Sequence, residues 1–151
     1  MELPTIVNVA TGNGVMVNEA RVRVRYAETD QMQVVYHSNY VVWFEVGRVE
    51  LLRQIGYTYR DMEELDGFHL PVAEVRCRFK QPAKYDDMIL IRTRIANLRS
   101  MLIQFHYEIY REQDMTFLAE GETTHFVVDK SMQKASLPAK YMEPFRKAFG
   151  R

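Results

Sequence analysis

The chain has 151 residues, of which 47% are hydrophobic and 26% are charged, and its 20 Lys and Arg balance its 20 Asp and Glu. This length and composition are typical of one globular domain with a full hydrophobic core. The zero net charge argues against nucleic acid as the main partner, because phosphate-binding domains are usually basic. It also gives little repulsion between copies of the chain, which suits an oligomer.

Cys77 is the only cysteine, which excludes an intramolecular disulfide and a cysteine-based zinc site. Its place in an alternating apolar stretch predicts a buried structural thiol rather than a nucleophile. Residues 1–20 lack the basic start and the long apolar core of a signal peptide, and no apolar run is long enough to cross a membrane. We therefore expect a cytoplasmic protein that does not insert into a membrane.

The N-terminal part of the chain divides into an extension and a strand. Residues 1–20 carry a turn signal at Gly12–Gly14, which fits either a hairpin-like extension or a poorly ordered arm. From Arg21 to Tyr26, arginine and apolar residues alternate. A period of two is typical of a half-buried strand.

One long helix is predicted over residues 38–55, SNYVVWFEVGRVELLRQI. Ser38 or Asn39 is the candidate N-cap residue, and Gly56 is well placed to end the helix. The first half of the helix is apolar on nearly all sides. A helix of this kind is typically buried rather than laid on a surface.

Four further strands follow the helix, separated by short breaks. They are predicted over residues 72–80, 88–98, 101–111 and 116–128. Strands joined by short turns indicate an antiparallel meander, and with one helix they give an α+β fold. Five strands around one buried helix require a sheet that curls, and small residues such as Gly47, Ala119 and Gly121 let backbones approach closely. The sheet edges of one protomer stay open, which predicts edge-to-edge dimerisation.

We therefore divide the chain into an N-terminal extension (1–20), one α+β domain (21–138) and a C-terminal tail (139–151) that could form a short helix. A curled antiparallel five-stranded sheet around one long central helix is the hotdog fold.

The stretch RVRYAETDQMQVVYHSNYVVWFEVGRVELLR, residues 23–53, resembles the 4-hydroxybenzoyl-CoA thioesterase-like family of acyl-CoA thioesterases. The stretch CRFKQPAKYDDMILIRT, residues 77–93, is similar to the next block of that family. NLRSMLIQFHYEIYRE and AEGETTHFVVD resemble its last strands. The resemblance covers residues 21–138 in order, and its most specific part is the spacing D…VVYHSNY…E…R.

The resemblance implies hydrolysis of an aliphatic or aromatic acyl-CoA thioester without a metal or another cofactor. It places the catalytic aspartate at Asp30 and a backbone N–H donor at or near His37, and it matches a Tyr-His pair of some members to Tyr36 and His37. The family usually has glycine where this chain has Gln33. If that glycine serves a left-handed conformation, Gln33 is strained or the loop is reshaped.

The chemistry requires an oxyanion donor and a group that attacks or activates water. The unpaired N–H groups at a helix N-terminus supply the donor. Asp30 could act as a general base or as a nucleophile that forms a mixed anhydride. His37 could orient substrate or water or assist the leaving group, and Tyr36 and Tyr40 are candidate substrate-binding residues. Arg99 and Ser100, in a turn between two strands, are candidates for binding the phosphates of coenzyme A.

Each site residue also has a structural interpretation. Asp30 could cap a turn, His37 could bond to backbone at the helix start, and Tyr40 could belong to the core. For His125 the core interpretation is the one that we favour, because it shares a strand face with the small residues Ala119 and Gly121.

Two other functions compete with the thioesterase. One is a hotdog hydratase or dehydratase of acyl thioesters, whose histidine and acid are arranged differently. The other is a non-catalytic acyl-CoA binding module, which Gln33 would favour. For the thioesterase we expect acyl-CoA as the substrate, and a homodimer or a homotetramer built as a dimer of dimers.

Overall fold

The computed structural model describes residues 7–10, 14–56 and 60–150, with side chains in the last two ranges. One antiparallel sheet and one long helix packed against its face form the body of the protein. The strands are β1 (Val7–Ala10), β2 (Met16–Arg23), β3 (Val72–Phe79), β4 (Met88–Arg99), β5 (Leu102–Arg111) and β6 (Thr116–Phe126). The two α-helices are α1 (Ser38–Gln54) and α2 (Ala139–Phe149).

The strand order is β1-β2-β4-β5-β6-β3. The five predicted strands are all present and the predicted fold class is confirmed, with β1 as a sixth strand at one edge. The predicted four-strand meander is wrong at β3, which pairs with β6 and not with β4. The reason is that α1 carries the chain from β2 across the sheet, so that β3 begins at the far edge.

Helix α1 packs closely on the sheet where glycine removes a side chain. A Cβ atom on Gly47 would lie 2.2 Å from Oγ1 of Thr93 in β4, and one on Gly121 would lie 2.5 Å from the Phe44 ring. In the space so provided, Phe44 stacks on Tyr107 of β5 with ring centroids 4.4 Å apart. The expectation that small residues permit close approach of helix and sheet is therefore confirmed at both glycines.

Two details of α1 differ from the prediction. The N-cap position is held by His37, whose side chain makes no capping hydrogen bond, and not by Ser38 or Asn39. The helix is also less buried than its apolar sequence indicates, because the sheet covers only one side of it and Val42 remains 50% exposed. At the other end the chain leaves the helix at Gly56, which has a φ of +110°.

β1 and α2, near the two ends of the chain, both contact β2. β1 pairs antiparallel with β2, and β2 begins at Met16, so the predicted boundary at residue 20 falls inside a strand. Residues 1–6 and 11–13, which include most of the predicted turn, lie outside the described residues. Helix α2 contacts β2 and β4. Among the described residues, the helices are all too short or too polar to span a membrane.

Strand β3 is an open edge of the sheet. It pairs with β6 on one side, and its side chains Val72, Val75 and Phe79 are 47%, 41% and 52% exposed. Cys77 in this strand is half-buried rather than fully buried, and desolvation raises the pKa of its thiol to about 11. An unreactive thiol fits the structural role predicted for it.

His125 is buried in the core at the end of a chain of hydrogen bonds, as predicted. Its Nδ1 donates to the Leu70 carbonyl at 2.9 Å, so its Nε2 accepts from the Thr123 hydroxyl at 2.8 Å. The Thr123 oxygen accepts from the Tyr107 hydroxyl at 2.6 Å, and Arg48 donates to Tyr107 at 3.1 Å. Every donor has an acceptor only while the imidazole is neutral.

We predict that protonation of His125 destabilises the fold in acid. Burial lowers its pKa from 6.5 to about 4, so between these values the unfolded chain binds a proton that the folded chain does not. The free energy of unfolding should therefore fall as the pH drops through this window, by at most about 1.4 kcal/mol per pH unit. Urea denaturation of wild type and His125→Gln from pH 7 to pH 4 measures this. The half-exposed His69 supplies the control variant His69→Gln, which should keep the wild-type slope; an equal slope in His125→Gln would contradict the prediction.

Candidate active site

Asp30 lies in a short loop that two strand-like segments close. Thr29 and Val35 form an antiparallel bridge, the Asp30 N–H donates to the Val34 carbonyl at 2.9 Å, and the Gln33 N–H donates to the Asp30 carbonyl at 2.9 Å. Gln33 adopts a φ of +66°, the left-handed conformation that glycine adopts most easily. A turn followed by a left-handed residue is a common way to close a tight hairpin.

The Asp30 carboxylate takes part in this turn through one oxygen. Its Oδ1 accepts the Met32 N–H at 2.8 Å, which is the turn-capping bond of the structural interpretation. Within the described part of the chain, its Oδ2 makes no hydrogen bond. The half-buried carboxylate therefore has one oxygen held in place and one available to another group.

Asp30 lines a cleft of about 300 Å³ between this loop, the start of α1 and the end of β3. The residues that line it include Asp30, Met32, Val34, His37, Tyr40 and Phe79. The structure thus brings together three of the predicted site residues, namely Asp30, His37 and Tyr40.

One wall of the cleft is aromatic. The His37 ring lies 4.4 Å from the Tyr36 ring and 6.4 Å from the Phe79 ring, and the Tyr40 ring lies 5.1 Å from Phe79. Tyr40 is almost fully buried, its hydroxyl accepts the Ala83 N–H at 3.2 Å, and desolvation raises its pKa. It is therefore an uncharged wall residue with part of its ring in the cleft, while Tyr36 is about half exposed outside it.

Two backbone N–H groups at the start of α1, those of His37 and Ser38, are open, and His37 lines the cleft. The Asn39 and Tyr40 amides donate to the Tyr36 and His37 carbonyls, at 3.0 and 3.2 Å. The amides of His37 and Ser38 have no backbone acceptor within the described residues. Open N–H groups and the partial positive charge of a helix of this length make this end suited to an oxyanion.

Arg99 and Ser100 do not join this cleft within one protomer. Arg99 ends β4 and Ser100 lies in the turn before β5, whereas the Asp30 end of the sheet lies at the start of β4, where the Val24 N–H donates to the Asp87 carbonyl. Both line a separate cleft of about 280 Å³, to which α2 contributes Arg146.

A larger cavity, of about 980 Å³, lies between α1 and residues 60–70. Its walls are mostly charged, with Glu45, Arg48 and Arg53 on the helix side. It is open, and neither Asp30 nor His37 and Ser38 at the start of α1 are among its lining residues. Chemistry rather than size therefore places the candidate site at Asp30.

Sequence reasoning missed Glu28 and Asn39. Glu28 is 6% exposed, and its carboxylate accepts the Arg25 N–H at 2.8 Å and the Trp43 indole N–H at 3.3 Å. The Asn39 side chain donates to the Glu28 carbonyl at 3.0 Å. The available signal was an acidic residue two positions before Asp30, but nothing in the alternation of the sequence shows that it is buried.

We predict that residue 33 tolerates glycine better than a β-branched residue, because a left-handed conformation costs an ordinary residue about 1–2 kcal/mol and glycine little. Gln33→Gly should keep or raise the free energy of unfolding, and Gln33→Val should lower it by more than about 1 kcal/mol. Gln31, exposed in the same loop and without positive φ, provides the matched pair. There the order should reverse, with Gln31→Gly less stable than Gln31→Val in urea denaturation. The same order at both positions would refute the account of the loop.

Comparison with known proteins agrees with this fold. Residues 24–145 match the model of the thioesterase-like superfamily. The chain is 37% identical over 133 residues to YneP of Bacillus subtilis, provisionally assigned as an acyl-CoA thioesterase, with 88% of this chain and 90% of YneP covered. It is 33% identical over 127 residues to the acyl-CoA thioester hydrolase YbgC of Escherichia coli, with 83% and 92% covered.

A solved structure has the same architecture. The DHNA-CoA thioesterase of Staphylococcus aureus superimposes with a TM-score of 0.80 at 28% identity, covering 88% of both chains. The resemblance drawn from the sequence is confirmed by these matches. The chain belongs to the thioesterase-like superfamily and has its hotdog fold.

Proposed function

We propose that this protein hydrolyses acyl-CoA thioesters to the free acid and coenzyme A at the Asp30 cleft. One observation carries the proposal: Asp30, whose carboxylate has an available oxygen, lines the same cleft as His37, the first of two residues with open amides at the N-terminus of α1. The names of YneP and YbgC support the choice of substrate class.

In this mechanism the thioester carbonyl accepts hydrogen bonds from the amides of His37 and Ser38. Negative charge develops on this oxygen as the carbonyl carbon is attacked, and the amides stabilise it. Asp30 acts in one of two ways. It removes a proton from an attacking water, or it attacks the carbon itself and forms a mixed anhydride that water then cleaves. In both routes the carbon–sulfur bond breaks and coenzyme A leaves as a thiolate.

The remaining cleft residues bind and orient the substrate. The His37 ring lies edge-on to Phe79 in the lining of the cleft, where it can orient the water or the leaving sulfur. Tyr40 and Phe79 supply the apolar wall that an acyl group requires, and the Tyr36 ring packs against the His37 ring.

We also propose that the active form is a homodimer, or a homotetramer of two such dimers, in which β3 pairs antiparallel with β3 of a second copy. The free edge and the exposed Val72, Val75 and Phe79 support this pairing, because an open apolar edge strand is a template for another strand. The cleft includes Phe79, so the dimer interface would run beside the reacting group.

The register of the sheet supports a role for Arg99 and Ser100 in this dimer. Antiparallel pairing brings the Val72 end of the partner's β3 next to Phe79. Val72 lies opposite His125 in β6, and along that end of the sheet Leu102 lies opposite both Phe126 and Arg99. Arg99 of the partner subunit would then lie at the same end of the joined sheet as Phe79. Four strand spacings, about 19 Å, would separate it from β3 of the first protomer. This distance suits the long arm that joins a thioester to the nucleotide of coenzyme A.

A non-catalytic acyl-CoA binding module is the second candidate. The bond from the Met32 N–H to Asp30 Oδ1 favours it, because it uses the carboxylate to build the loop. Only hydrolysis releases a free thiol, whereas binding does not, and a hydratase would change enoyl absorbance instead.

We predict that wild type releases thiol from a panel of aliphatic and aromatic acyl-CoAs and that Asp30→Asn and Asp30→Ala lower kcat by about 100-fold or more. The reason is that neither variant can take up a proton or form an anhydride. Asp86→Asn, an exposed aspartate outside the cleft, is the control and should keep wild-type kcat. Tight acyl-CoA binding without thiol release by wild type would favour the binding module.

We predict that Asp30 and Arg99 act across the dimer. Arg99→Ala should raise KM for acyl-CoA with little change in kcat, because it loses a phosphate contact remote from the thioester. A mixed dimer of Asp30→Asn and Arg99→Ala chains should contain one intact site and regain wild-type KM. A mixed dimer of Asp30→Asn and Asp30→Ala chains is the control and should stay inactive. If KM remains raised in the first mixed dimer, the two residues do not act across the interface.

A further inference from the structure

Glu28 is a buried carboxylate that the proposed mechanism does not use. It is 6% exposed and belongs to the one-turn helix Tyr26–Glu28 just before the Asp30 loop. The Arg25 guanidinium is 3.4 Å from its Oε1 but is itself about half exposed. Burying a carboxylate costs free energy unless hydrogen bonds or charges compensate for it, so the partners of Glu28 indicate what its burial serves.

The side chain of Glu28 reaches the body of α1. Its Oε2 accepts the indole N–H of Trp43 at 3.3 Å, and Trp43 is 2% exposed. The Trp43 ring packs against Tyr40, with centroids 4.9 Å apart, and Tyr40 lines the cleft. The carboxylate therefore bonds to the helix one and a half turns beyond its open amides.

The backbone of Glu28 reaches the start of the same helix. Its carbonyl accepts the Tyr36 N–H at 2.8 Å and the Asn39 side-chain amide at 3.0 Å. Tyr36 directly precedes His37, and Asn39 directly follows Ser38. Glu28 is thus hydrogen-bonded to the residue before the two open amides and to the residue after them, and also to Trp43 further along the helix. It lies two positions before Asp30 in the sequence.

From this geometry we propose that Glu28 and Asn39 are positioning residues that fix the Asp30 carboxylate relative to the open amides of α1. The inference rests on the proposed thioester hydrolysis at this cleft. Neither residue contacts the reacting atoms. Their effect arises because attack on a carbonyl needs both groups in one geometry, and a displacement of about 1 Å can cost about 100-fold in rate.

The test measures kcat and KM for thiol release, together with the free energy of unfolding, in four variants and one control variant. Glu28→Ala removes the carboxylate, Asn39→Ala removes the amide, and Trp43→Phe removes only the indole N–H while keeping an aromatic ring. Glu28→Gln keeps one acceptor oxygen. Glu50→Ala is the matched control. Glu50 is a second buried glutamate, 5% exposed, which lies on the second half of α1 and pairs with Arg53.

We expect Glu28→Ala and Asn39→Ala to lower kcat by about 10- to 100-fold with KM changed by less than about 3-fold, and Trp43→Phe to lower kcat in the same direction. Glu28→Gln should restore kcat to within about 5-fold of wild type because one acceptor remains. Glu50→Ala should lose stability similar to that lost by Glu28→Ala and keep wild-type kcat.

Equal kcat values in Glu28→Ala and Glu50→Ala, at similar stability, would overturn the positioning role. So would a loss in Glu28→Ala that appears only in KM. If wild type itself releases no thiol, the proposed function fails, and this outcome is separate from an active wild type whose Glu28 variants are unaffected.

Discussion

The backbone pairing between residues 28–29 and residues 35–36 is the constraint on which the rest of the site depends. It brings the end of the segment after β2 against the start of α1, and everything between is forced into a tight loop. Asp30 and the first residues of α1 therefore lie close together. Their convergence on one cleft follows from this short-range pairing, and the sheet beneath α1 keeps the helix in place.

The loop has to meet two requirements at once, its own closure and the presentation of the Asp30 carboxylate. Its closure uses a left-handed residue at Gln33 and one oxygen of Asp30. The proposed hydrolysis needs the other oxygen free and the carboxylate held still. The turn bond satisfies both, because a carboxylate with one fixed oxygen has lost most of its rotational freedom before substrate binds. Preorganisation of this kind lowers the cost of reaching the reactive geometry.

Much of the fold could be predicted from local patterns. The alternation in β3 to β6 and the helical run ended by Gly56 identify elements whose existence depends on nearby residues. The place of β3 at the sheet edge could not be predicted in this way, because alternation shows which face is apolar but not which strand is the neighbour. The long helix between β2 and β3 allowed either edge.

The sequence indicated candidate site residues, but it did not indicate the residues that hold them in place. Asp30 and His37 were identified through the resemblance and Tyr40 as a helix residue that could line an acyl pocket, and the structure brings the three to one cleft. Whether Arg99 joins them depends on a second chain, which no pattern within one sequence specifies. Glu28 was missed because its burial results from Trp43 lying 15 residues later on the facing helix. Ser38 and Asn39 have suitable side chains for an N-cap, but Asn39 instead bonds the Glu28 carbonyl.

The central claim is that Asp30 and the open amides of α1 act on one thioester at a dimer interface. A crystal structure of Asp30→Asn with an acyl-CoA analogue that has a non-hydrolysable ketone in place of the thioester tests this most directly. We predict that the ketone oxygen accepts from the His37 or Ser38 amide, that residue 30 faces the carbonyl carbon, and that the phosphates lie near Arg99 of the partner subunit. An analogue bound in the cavity beside residues 60–70, away from residue 30, would contradict the account.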